Sequence, residues 1–171
     1  MNNTVKAWQI NKKLRISEFV ASKLKNLGLK LPMRRVKVTI VSKQRLYAEA
    51  KANGGLLQGL TVTEYTFFGK FHQVYILEDL PIYTYMETLA HEFAHVWLND
   101  TDSVLNSKDI AEIEGFCNLV AFRLFDGDRT RTARNQREMM LSNPDPIYGR
   151  GFRIMKERSE RMGWTAFIKQ F

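Results

Sequence analysis

Apolar residues recur along this chain in two rhythms. Ile16, Phe19, Val20, Leu24 and Leu27 repeat at three- and four-residue spacing with Lys and Ser between them, which predicts a helix over residues 4–27. Gly28 and Pro32 end it. Val36 to Val41 then alternates and is rich in β-branched residues, so it reads as a strand. Ser42 is placed to cap a short helix reaching about Ala52, with Asn53-Gly54-Gly55 as its stop. Leu60 to Phe67 and Phe71 to Leu77 are two further strand-like runs. Phe68-Gly69-Lys70 between them predicts a tight turn and an antiparallel hairpin.

Beyond residue 78 the rhythm is helical. Glu78-Asp79-Leu80-Pro81 suits a helix entry, with acids at the positive end and Pro in the first turn. The helix that follows, from about Ile82 to Leu98, is apolar on nearly every side and should be buried. Ser107 is placed to cap the next, which carries the stripe Ile110, Ile113, Phe116, Val120 and Leu124 and runs to about Phe125. Residues 130–141, 147–162 and 164–171 read as three shorter helices, separated by Ser142-Asn143-Pro144-Asp145-Pro146 and by Gly163. No repeat, low-complexity tract or linker interrupts the series, so residues 1–171 read as one domain. The expected class is α+β, with a small, mostly antiparallel sheet packed on two long helices and further helices flanking them.

Composition narrows this picture. The start of the chain has no apolar leader core, and the most apolar window, residues 80–98, holds Glu87, His91, Glu92 and His95. A soluble cytoplasmic protein without a membrane span is therefore expected. The net charge of +8 is unevenly spread, at +11 over residues 1–45, −8 over 46–120 and +5 over 121–171. The basic ends can meet nucleic acid or an acidic partner, but a solvated positive face is the reading favoured here, since no nucleic-acid motif accompanies the charge. Cys117 is the only cysteine, which excludes an intrachain disulfide and a thiolate zinc cluster.

The acidic middle carries the chemistry. His91-Glu92-Phe93-Ala94-His95 reads H-E-x-x-H on the buried helix. Residues four apart share a helix face, so both imidazoles can grip one zinc ion, with Glu92 placed to act as a base on a water there. Open catalytic zinc sites use three protein ligands. The third is expected to be an acid, because His72 is the only other histidine. Glu114 fits, separated from His95 by eighteen residues, in Ala111-Glu112-Ile113-Glu114-Gly115-Phe116-Cys117-Asn118; Glu112 is the weaker alternative, on another helix face. The pattern is that of zinc peptidases with a glutamate as third ligand, and Glu114-Gly115-Phe116 resembles the third-ligand segment of aminopeptidase-N-like enzymes. Asn118 lies one turn after Glu114, where related enzymes have a group that bonds a ligating histidine. His72 stands as a less favoured ligand or donor. As a fourth ligand it would turn the site into a structural zinc.

The match extends further. Gly59-Leu60-Thr61-Val62-Thr63-Glu64, Ile76-Leu77 through Leu80-Pro81 to Leu89-Ala90-His91-Glu92, Trp97-Leu98, Glu114-Gly115-Phe116-Cys117 and Asp145-Pro146-Ile147-Tyr148-Gly149-Arg150-Gly151-Phe152-Arg153 together resemble the C-terminal peptidase domain of the plant organ-size regulators of the DA-one family, which are ubiquitin-activated zinc peptidases. The resemblance covers about residues 59–171, and residues 1–58 have no counterpart in it. It implies a zincin-like (gluzincin) fold and a zinc endopeptidase, with His91, His95 and Glu114 as ligands and Glu92 as base. It also points to Tyr148 or Arg153 as the donor to the oxyanion or the substrate backbone. The ubiquitin-interacting and LIM segments of the plant proteins have no equivalent here, so ubiquitin activation is not implied. In the zincin arrangement the strand before the motif helix lines the cleft, so Phe71, His72 and Val74 are expected to meet an extended peptide or protein substrate.

Overall fold

A computed structural model describes residues 3–51 and 56–171, with side chains from Arg15 onward in the first helix. Helix α1 spans Asn3–Asn26, strand β1 Val36–Val41 and helix α2 Lys43–Ala50. Strands β2, Gly59–Thr66, and β3, Gly69–Leu77, form a hairpin. Four of the five remaining helices are long: α3, Ile82–Asp100, α4, Ile110–Leu124, α5, Arg131–Ser142, and α6, Tyr148–Met162. A short α7, Trp164–Ile168, closes the series. The class is α+β, as expected.

The sheet departs from expectation in two ways. Its order is β1-β3-β2, so β3 is the middle strand. It runs parallel to β1, with Val36 opposite His72 and Val41 opposite Leu77, and antiparallel to β2, with Thr63 opposite His72. The sheet is therefore mixed, where a mostly antiparallel one was expected. Alternation along β3 turns His72, Val74 and Ile76 to the buried face, as the period of two requires.

Local chemistry sets the boundaries. The hairpin turns on Phe67 and Phe68 alone, with Thr66 paired to Gly69; the turn falls one residue earlier than predicted because Gly69 takes φ +113. Ser42 caps α2 through the Arg45 N–H. Lys51 ends that helix in the left-handed region; the predicted stop at Asn53-Gly54-Gly55 lies outside the described residues. Asp109, not Ser107, caps α4 by accepting from the Ala111 N–H, and Ser107 instead ends a 3-10 turn, Val104–Ser107.

The core lies around α3. Leu89, Phe93, Val96 and Leu98 are fully buried between the sheet, α1 and α4. Phe116 of α4 stacks on Trp97 and Phe167, with ring centroids 5.8 and 6.1 Å apart. Helix α4 lies close along α6 because glycines meet there. A Cβ on Gly115 would strike the backbone of Gly151, and a Cβ on Gly151 would strike the carbonyl of Ala111. Among the described residues no helix is long and apolar enough to cross a membrane.

Candidate metal centre

The buried packing of α3 on α4 fixes which side chains can meet. His91 and His95 are one turn apart on α3, and Glu114 faces them from α4. His91 Nε2 lies 3.0 Å from Glu114 Oε2, and His95 Nε2 lies 3.5 Å from Glu114 Oε1. The two Nε2 atoms are themselves 3.2 Å apart. All three ligand atoms fall within 4.8 Å of one another. Glu112, the weaker alternative, is not in this group.

Asn118 orients the first histidine. Its Nδ2 donates to the Tyr148 carbonyl at 3.1 Å, which leaves Oδ1 to face His91 Nδ1 at 2.8 Å. His91 therefore donates from Nδ1 and turns its Nε2 toward the cluster; a metal bound there would replace the proton on Nε2. Burial opposes a charge on His91, but the Glu114 carboxylate, helped by the charge of Glu92 and by Asn118, overrides it and raises the pKa to about 9. Burial also opposes charge on Glu114, yet its bonds to His91 and His95 hold the carboxyl well below the usual range. Two imidazole nitrogens and a carboxylate, half-buried and converging, are a donor set that fits zinc.

Glu92 is held from the sheet side. It is 6% exposed. Thr61 of β2 donates to its Oε2 at 2.7 Å. Gly59, on the same strand, leaves the room it occupies: a Cβ there would stand 2.6 Å from Oε1. Neither Thr61 nor Gly59 was singled out by sequence reasoning as a site residue. They stand in the Gly59–Glu64 segment, and only the β2 register shows that this segment lies over Glu92.

Tyr148 and Arg153 part company. The Tyr148 ring is 6.5 Å from the His91 ring and 44% exposed. Burial, then the charges of Glu114, Asp145 and Glu92, raises its pKa, so it keeps its hydroxyl proton. Arg153 instead donates to the carbonyls of Asn143 at 2.7 Å and Leu141 at 3.4 Å. Its guanidinium ties the end of α5 to α6, which corrects its assignment as a donor at the centre. The glycines of the same motif serve packing: a Cβ on Gly149 would strike the Asn143 carbonyl.

The expected substrate strand is also corrected. From His72 onward strand β3 is bonded on both sides, so His72 and Val74 offer no free edge, while Phe71 lies just before the β1 pairing, is paired to β2 alone and is exposed. Val74 is fully buried and His72 only 1% exposed. His72 Nδ1 meets Thr63 Oγ1 at 3.0 Å and Nε2 meets Asp100 Oδ1 at 3.4 Å. Asp100 also pairs with Arg35 at 3.0 Å. Cys117 is buried, and desolvation first, then Glu114 and Glu92, pushes its thiol well up, which suits an inert core residue.

Comparison with family models, curated proteins and solved structures gives no match.

Proposed function

We propose that this chain is a zinc-dependent metallopeptidase of the glutamate-ligand zincin type, similar to the peptidase domain of the DA-one family and acting on a peptide or protein substrate. The observation that carries the reading is the pairing of a three-ligand cluster with a separately anchored carboxylate. His91, His95 and Glu114 form a donor set with no fourth protein ligand among the described residues. Glu92 stands beside them, buried and held by Thr61. A zinc that only stapled the helices would have no use for Glu92. It would also need a fourth ligand, and His72 is engaged with Thr63 and Asp100.

In this reading His91, His95 and Glu114 hold one zinc ion, and Asn118 fixes the His91 ring. When bound, zinc supplies the Lewis acid that polarises the scissile carbonyl and makes an attacking water more acidic. Glu92 takes the proton from that water and delivers it to the leaving amine. Tyr148 keeps its proton and supplies a hydroxyl donor for the developing oxyanion. The edge strand β2, which is bonded to β3 on one side only, is the one beside Glu92 with a free edge for an extended substrate.

Zinc quantification together with cleavage of a peptide library by wild type and Glu92→Gln tests this. Stoichiometric zinc in both, with cleavage in wild type alone, is the expected result. Stoichiometric zinc without Glu92-dependent cleavage overturns it in favour of a zinc-containing binding protein.

A further inference from the structure

A cavity of about 270 Å³ opens beside the metal centre on the His91 side. Asn118 and Tyr148 form the wall it shares with that centre, and Phe152 and Met140 give it apolar surface. Glu87 and Gln136 supply a carboxylate and an amide. Glu87 sits one turn before His91 on α3, so both face the same way. Its Oε2 accepts a hydrogen bond from Gln136 Nε2. No lysine or arginine lines the cavity, and none pairs with Glu87 among the described residues. Burial is the largest influence on Glu87 and raises its pKa, with the Gln136 bond and the charge of His91 opposing it. A half-buried carboxylate whose hydrogen-bond partner is a neutral amide is a costly arrangement that a cation would relieve.

We propose that this cavity is the subsite for a long basic side chain of the substrate, lysine or arginine, with Glu87 as its counter-charge. The proposal rests on the peptidase reading. The volume is below the ~300–1,000 Å³ typical of a whole small-molecule site, and suits one side chain. Phe152, Met140 and the Tyr148 ring take the methylene stem, while Glu87 and the side-chain oxygen of Gln136 accept from the charged head. Tyr148 and Asn118, shared with the metal centre, place the residue that fills the cavity next to the scissile bond.

The test uses the zinc-loaded Glu92→Gln protein, in which cleavage is blocked, and fluorescent peptides identical except for one position that is lysine, norleucine or glutamate. That position is scanned along the peptide and Kd is read by anisotropy. One register is expected at which lysine binds about tenfold tighter than norleucine, and glutamate weaker than both. Adding Glu87→Gln brings the lysine-to-norleucine ratio close to one, and Glu87→Lys makes the glutamate peptide the preferred one. Zinc content and cooperative thermal unfolding establish that each variant is folded. Absence of any lysine-preferring register, or a preference that survives both Glu87 substitutions, overturns the subsite. Wild-type cleavage separates this from the peptidase reading. Cleavage with no basic preference sinks the subsite alone, whereas a Glu87-dependent binding preference without cleavage leaves only a binding site for a basic side chain and sinks the peptidase reading.

Discussion

The Thr61 hydroxyl stands 2.7 Å from Glu92 Oε2 and 3.1 Å from the backbone carbonyl oxygen of the same residue. It therefore ties both the side chain and the main chain of the proposed base to β2. In the peptidase reading, Thr61→Val keeps the shape and removes the donor. A roughly tenfold loss in kcat is expected, with zinc content unchanged, because a hydrogen bond to a charged group contributes about 1.5–3 kcal/mol. Steady-state kinetics on one cleaved peptide, with metal analysis, checks it. A variant as fast as wild type would show that Glu92 is held well enough by α3 alone.

Gly59→Ala acts on the same carboxylate by a different route. The added methyl would meet Glu92 Oε1 at 2.6 Å and its Cγ and the Thr88 methyl at 2.8 Å. Either the strand or the base must move. A larger loss of kcat than for Thr61→Val is expected, together with a stability loss of about 1–3 kcal/mol from overpacking. Denaturant unfolding and kinetics on the same preparation separate the two effects.

Asn118→Ala removes the group that holds His91 Nδ1. Zinc affinity is expected to fall about 10–100-fold, the usual cost of losing such a partner. Competition with a chromophoric chelator measures it. Asn118→Asp keeps the acceptor and is expected to recover affinity; failure to do so would mean that the bond to the Tyr148 carbonyl, which only the amide makes, matters more.

His72 supplies a pH dependence in stability rather than in catalysis. Burial lowers its pKa below the ordinary value, with the charges of Arg35 and Lys70 adding to this and Asp100 opposing it. Below about pH 6.5 the unfolded chain binds a proton that the native chain refuses. Stability should therefore fall as pH drops from about 6.5 toward the native pKa, and this part of the loss ends below it. Urea unfolding between pH 7.5 and 5 should show the slope in wild type and a flatter one in His72→Gln. An unchanged slope would assign the acid sensitivity to other groups.

Much of this was legible in the residues, and the failures have identifiable causes. The shared face of His91 and His95 needed only a regular helix, so local periodicity sufficed there; Glu114 came from its likeness to the third-ligand pattern of glutamate-ligand zinc peptidases, because the meeting of α3 and α4 is long-range. Asn118 followed from one further turn of α4. Strand existence was legible from alternation, but strand order was not. Nothing local in Phe71–Leu77 distinguishes a middle strand from an edge, since β1 reaches it across an intervening helix and strand. The role of His72 failed for the same reason: its face is set by register, and its partner Asp100 is 28 residues away. Arg153 failed because two backbone carbonyls at a turn leave no trace in side-chain composition. Gly59 and Thr61 needed the contact between β2 and α3, which is long-range.

The close approach of α4 and α6 bears on which substitutions this chain can accept. Gly115 follows the proposed ligand Glu114 directly, and its partner Gly151 lies three residues after Tyr148. The clash at either position is with backbone, which cannot swing aside as a side-chain tip can. In a saturation scan scored by bound zinc, which needs both the fold and the proposed ligands, positions 115 and 151 should tolerate as little as the histidines do. They should fail even for alanine, the mildest replacement. Such a map would mark two residues with no side-chain chemistry as strongly as those proposed to hold the ion.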